Sequence, residues 1–189
     1  MRKLLIVIAL GCAAVMVVGS NSAFTTGQDM PKESKTQPKE VVLGKDSQSD
    51  KYGEAPFNHE NHSNKNYTID GKAIIPCVEC HHTDQPAANL KAPLKTSERP
   101  VALTAASLAA ADAKPVKSCR VCHLQAGDDS APLPAVTYEG KTTPTKLTNE
   151  VAYHMNCNTC HDKAIAARPA LKGKAPGSAD CLPCHKPVS

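Results

Sequence analysis

The sequence has almost none of the residues that ordinarily fill a protein core. There is no tryptophan, and two phenylalanines and four tyrosines bring the aromatics to only 3% of 189 residues. Aromatic side chains carry much of the buried area in most domains, and 15 prolines further limit regular structure. A core made of side chains alone is poorly supported: something else supplies apolar surface, or the chain is largely disordered. A strong charge of one sign is also lacking. The formal net charge of +4 falls to +2 once Arg2 and Lys3 are set aside with an N-terminal leader. The basic excess lies between Val151 and Ser189 and is mild, which gives no case for nucleic-acid binding, where a basic stripe is expected. Nor does any apolar run reach the roughly 20 residues needed to span a bilayer.

The longest such run, Leu4 to Val18, follows the basic start Met1-Arg2-Lys3 and precedes the small residues GSNSA. That three-part layout is a secretory signal peptide. Residues 1–23 are read as cleaved, with the cut between Ser20 and Phe24, which predicts a periplasmic mature chain without a transmembrane segment. Cys12 after Leu10-Gly11 offers the alternative of a lipoprotein acceptor and hence a lipid-anchored form.

Residues 24–55 are polar and lack periodicity, and are expected to form a flexible tail. In NYTIDGKAI, Asp70-Gly71 between two short β-prone runs predicts a β-hairpin. Residues 98–113 form the best helix candidate, with Pro100 in the first turn and several alanines. A second, short helix is expected over 147–161. Elsewhere proline and glycine punctuate the chain, so regular structure should be sparse.

Beyond Cys12 the eight remaining cysteines form four C-x-x-C pairs: Cys77 and Cys80, Cys119 and Cys122, Cys157 and Cys160, Cys181 and Cys184. A histidine follows every pair: His81, His123, His161 and His185. Histidine fills only 8 of 189 positions, so four hits by chance would be roughly three in a million. C-x-x-C-H is the attachment motif of c-type haem. Two thiols at this spacing can add to the two vinyl groups along one porphyrin edge, and the next residue then offers its imidazole to the iron. Four-cysteine zinc sites and disulfides leave the four positioned histidines without a role, and a thioredoxin-like motif would normally appear once, near a βαβ pattern that the sequence does not show. Four covalently bound c-type haems are therefore expected.

Each iron has two axial positions, and the motifs fill one. Four vacancies meet four further histidines, His59, His62, His82 and His154, so the simplest expectation is two histidine ligands on every iron. Met30 and Met155 are the rival ligands. His82 cannot serve the iron of its neighbour His81, because adjacent residues cannot reach opposite faces of one ring; it must join two haems. With four sites inside residues 77–185, roughly 27 residues each, the rings should nearly touch and form the core themselves.

In PFNHENH, CVECHH, YHMNCNTCH and CLPCHK, in that order, the chain resembles the class III cytochromes c, the tetrahaem cytochrome c3 family, over about residues 56–186. The resemblance implies that His59 completes the first haem (His81), His62 the third (His161), His82 the second (His123) and His154 the fourth (His185). It implies that Phe57 packs beside a haem. The departures are two residues between the cysteines of every motif, a long interval from Cys77 to Cys119, and a long N-terminal tail. The fold expected for residues 56–189 is thus a small, mostly irregular multihaem cytochrome with a few short helices, one β-hairpin and a haem core. The expected function is low-potential electron transfer in anaerobic respiration, without enzymatic activity, exchanging with hydrogenase, formate dehydrogenase or membrane cytochromes. The alternatives are a multihaem reductase with one open axial site, and a subunit of an extracellular haem filament at the outer surface.

Overall fold

The computed structural model describes residues 30–45, 47, 51–82, 101–138 and 141–188. The expected leader, residues 24–29, 46 and 48–50 of the expected tail, and residues 98–100 of the expected alanine-rich helix lie outside them. Among the described residues, three antiparallel strand pairs and three α-helices are joined by short 3-10 turns and irregular chain. The strands are β1 (Glu33–Ser34), β2 (Glu40–Leu43), β3 (Ala55–Asn58), β4 (Val116–Lys117), β5 (Ala135–Val136) and β6 (Thr145–Lys146). They pair as β1 with β4, β2 with β3 and β5 with β6. The helices are α1 (His59–Asn64), α2 (Ala105–Leu108) and α3 (Asn149–Ala167). Among the described residues no helix is long and apolar enough to cross a membrane.

The stretch expected as a flexible tail is ordered from Met30 to Leu43. Val41-Val42-Leu43, its one apolar cluster, pairs with Phe57-Pro56-Ala55 in β3, and Val41 is 7% exposed. Pro56 is tolerated because two-stranded pairs have only edge strands. The pairing delivers the chain into α1. Asn58, the last residue of β3, caps that helix by accepting from Asn61 N–H at 2.7 Å and donates to Glu40 Oε1 at 2.9 Å. The tail thus places the helix that bears His59 and His62. Upstream, β1 lies against β4, and Ser118 N–H donates to Lys32 O at 2.8 Å, just ahead of the second motif.

The hairpin expected at Asp70-Gly71 is a turn without strands. Asp70 Oδ1 accepts from Thr68 Oγ1 (2.7 Å) and Lys72 N–H (3.1 Å), while Gly71 adopts φ 72°. Such side-chain bonds compete with a ladder, and Ile69 and Ile74 have no packed face to hold, being 41% and 49% exposed. Hairpin pairing occurs instead at β2–β3 and β5–β6. The helix expected over 98–113 is confined to four residues. Thr104 and Ser107 form a capping box that sets its start, and the Ser107 hydroxyl also bonds the Ala102 and Thr104 carbonyls. By contrast, α3 runs longer than expected, from the Thr148 cap to Arg168, where Pro169 follows.

The buried apolar residues described are Val41, Leu103, Ala113, Val151 and Ala164. Two are alanines. Burial on this scale cannot offset the entropy of ordering the chain.

Candidate metal centres

The C-x-x-C-H motifs share one local shape. At the first, Cys77–Glu79 forms a single 3-10 turn. Cys80 and His81 N–H both donate to Cys77 O, at 3.2 and 2.9 Å. The second repeats this on Cys119 O, at 3.2 and 2.8 Å, and the fourth on Cys181 O, again at 3.2 and 2.8 Å. The third lies inside α3, where the same spacing is intrinsic to the helix. One helical turn sets residues i, i+3 and i+4 on a common side, so each motif presents two thiols and an imidazole together. None of the eight cysteines is in a disulfide.

Each motif histidine faces one of the other four. The ring centres of His59 and His81 are 6.3 Å apart, those of His62 and His161 6.3 Å, His82 and His123 6.2 Å, and His154 and His185 6.2 Å. No histidine is used twice. The same four couples stand in the assignment that the resemblance implies. A transition metal bonds imidazole nitrogen at about 2.0–2.1 Å and the nitrogen lies ~1.1 Å from its ring centre, so two imidazoles on opposite sides of one ion stand roughly 6.3 Å apart. Each couple supplies two nitrogens. No group of three or more His, Cys, Asp or Glu among the described residues is arranged to hold a metal, so an ion held here needs its remaining ligands from a non-protein group. A porphyrin, with four equatorial nitrogens and vinyl groups for the adjacent thiols, fits that donor set.

Hydrogen bonds fix the tautomers. His62 Nδ1–H donates to Asn58 O at 2.9 Å, His123 Nδ1–H to Leu147 O at 3.2 Å and His185 Nδ1–H to Gly53 O at 2.8 Å. A carbonyl can only accept, so the proton sits on Nδ1 and the lone pair on Nε2 stays available to a metal. His59 Nδ1 is turned toward the Pro38 carbonyl without closing a bond within hydrogen-bonding geometry. Burial holds His59 and His161 below the ordinary histidine range, favouring the neutral form that ligates.

The motifs converge on α3. Cys157 stands within electrostatic reach of Cys80, Cys119 and Cys184, one sulfur from each other motif. Burial pushes its thiol up to about 12, and pushes that of Cys119 up as well. A thioether carries no charge and suits such surroundings, whereas a thiolate would not. His154 and His161, seven residues apart on α3, are separated by about 10.5 Å along its axis. Of the rival methionines, the Met30 sulfur accepts from the Tyr153 hydroxyl at 3.2 Å, and Met155 lines a cleft of about 210 Å³ together with His154 and Asp162.

Phe57 lies against the upstream histidines, 4.6 Å from the His62 ring and 6.0 Å from that of His59. Tyr67 meets His62 edge-on at 5.4 Å and Tyr52 tilts toward His185 at 6.0 Å. Sequence reasoning singled out neither tyrosine, although their scarcity was a usable signal. It also missed Gly53. That residue donates to Lys186 O at 2.8 Å, Lys186 N–H returns a bond to Glu54 O at 2.9 Å, and the Lys186 ammonium pairs with Glu54. A Cβ on Gly53 would lie 2.9 Å from Lys186 O, so this contact requires glycine. Set against known proteins, the chain matches no family model, no curated protein and no solved structure.

Proposed function

We propose that the chain is an exported, low-potential tetrahaem c-type cytochrome that carries electrons between redox proteins. The observation that carries this reading is the set of four histidine couples at 6.2–6.3 Å, each joining a C-x-x-C-H histidine to a different partner. The eight paired cysteines would hold the four haems through thioethers. His81, His123, His161 and His185 would take one face of each iron, and His59, His82, His62 and His154 respectively the other. A bound haem supplies an iron that gains and loses one electron.

The residues would close both axial positions, so a substrate would find no coordination site, and this favours a carrier over a reductase. Bis-histidine ligation lacks the methionine that raises potential. The adjacent pair His81 and His82 serves two couples, as do His59 and His62 on α1, which would bring neighbouring haems close together and favour rapid exchange. From the resemblance, the partners are hydrogenase, formate dehydrogenase or membrane cytochromes in the periplasm.

Low-temperature EPR of the fully oxidised holoprotein tests the reading. Low-spin ferric signals integrating to four irons are expected. A substantial high-spin signal would point to an open iron and a catalytic substrate.

A further inference from the structure

Arg168 closes α3 as its C-cap, and its guanidinium is only partly satisfied. Nη2 donates to Thr68 O at 3.2 Å. Nη1 lies against Gly71, where a Cβ would collide with it. Nε is buried and has no hydrogen-bond partner among the described residues. The ion pairs among those residues, Lys146 with Asp129 and Lys186 with Glu54, leave it no carboxylate. A guanidinium stays charged under all ordinary conditions, and a buried charged donor left unmatched is costly. The surrounding chain is nevertheless shaped to keep it in place. Gly71 holds φ 72° and offers bare backbone to the guanidinium, while the Asp70 turn fixes the loop that supplies Thr68 O.

We infer that Arg168 is a binding site for a carboxylate of one of the bound haems, with Nε–H as the waiting donor and Gly71 as the residue that lets the guanidinium lie in place. This rests on the tetrahaem reading. Each haem brings two carboxylates, ionised at neutral pH, into the body where the unmatched cation lies, and Arg168 is close enough to act electrostatically on Cys160 of the third motif. Planar, charge-assisted pairing with a carboxylate is what a guanidinium does best. The pairing would neutralise one negative group beside one iron. Reduction removes one positive charge from a ferric centre, so an unneutralised carboxylate nearby disfavours it.

The test is a spectroelectrochemical titration of the full-length, matured holoprotein and its R168Q, R168K and G71A variants, after a haem count by pyridine haemochrome. R168Q is expected to keep four haems and to lower one midpoint potential, leaving the other three in place. R168K keeps the charge without the fork and should give a smaller shift of the same midpoint. G71A keeps the arginine but displaces it, and should move that midpoint in the same direction; it and R168K decide the matter if R168Q fails to mature. Four haems with four unmoved midpoints would overturn the inference and leave the tetrahaem reading intact. All four midpoints moving together would show a structural role only and equally overturn it. A purified wild-type chain without covalent haem would overturn both.

Discussion

His82 offers the most direct test of a single ligand. Its replacement by methionine should raise one haem's potential, since methionine ligation does so, while covalent haem content stays at four. If a redox titration of H82M finds no single midpoint displaced, the pairing of His82 with His123 is not a ligand pairing. Gly53 tests a contact rather than a ligand. In G53A the new methyl meets Lys186 O, and the close packing should cost about 1–3 kcal/mol, read as a lower denaturant midpoint. The His185 Nδ1 bond to Gly53 O would weaken with it, so the fourth haem should register the change first. Acidification tests the neutral histidines. Burial lowers His59 and His161 from an ordinary value of 6.5, so the fold binds fewer protons there than the unfolded chain does. Their contribution to stability is complete above pH 6.5 and is lost as pH falls through the lowered folded values. A pH titration of the Soret band should therefore stay low-spin above 6.5 and change only on the acid side. Loss of the low-spin band on raising pH from neutrality would contradict this.

At the scale of elements, β2 and β3 decide where α1 stands, and α1 supplies one histidine to each of two couples, His59 with His81 and His62 with His161. Deleting residues 30–45 should leave four covalent haems but free His59 and His62, so that about half of the iron turns high-spin by EPR integration. A spectrum indistinguishable from wild type would mean that these residues are the passive tail their composition suggests. That composition misled for a physical reason. Three apolar residues in a polar stretch carry no periodicity, and what orders them is a partner strand further along the chain, Val41 against Phe57, Val42 against Pro56 and Leu43 against Ala55. The Asp70-Gly71 signal was legible as a turn, because Asp70 and the positive φ of Gly71 act locally. It was not legible as strand or loop, because that depends on whether Ile69 and Ile74 find something to cover. The motif turns needed no such context. Cys, Cys and His at i, i+3 and i+4 share one side of one helical turn, which is why their grouping was legible from spacing alone. The role of Arg168 was not, since it is set by the turn at residues 68–71, a hundred positions earlier.

For the molecule as a whole, the thin side-chain core among the described residues has a direct consequence. Val41, Leu103, Ala113, Val151 and Ala164 cannot hold the chain closed, so a version with all eight motif cysteines replaced by alanine should be unfolded by far-ultraviolet circular dichroism and rapidly proteolysed. A compact, protease-resistant product would refute a cofactor core. The order in which contacts become available matters too. Gly53 and His185 are 132 positions apart, and Lys32 bonds Ser118 across less than half of the chain. A ribosome makes the early partner of each contact long before the late one. Gly53 and Glu54 must therefore wait, unpaired with their late partners, while the four C-x-x-C-H motifs emerge in turn, and each would meet its cofactor on accessible chain. Only when residues 181–186 arrive can Gly53 and Glu54 be fastened. Closure thus reports that the fourth motif is in place, and a molecule stalled before that point would advertise itself to proteases by its unfastened Gly53 and Glu54.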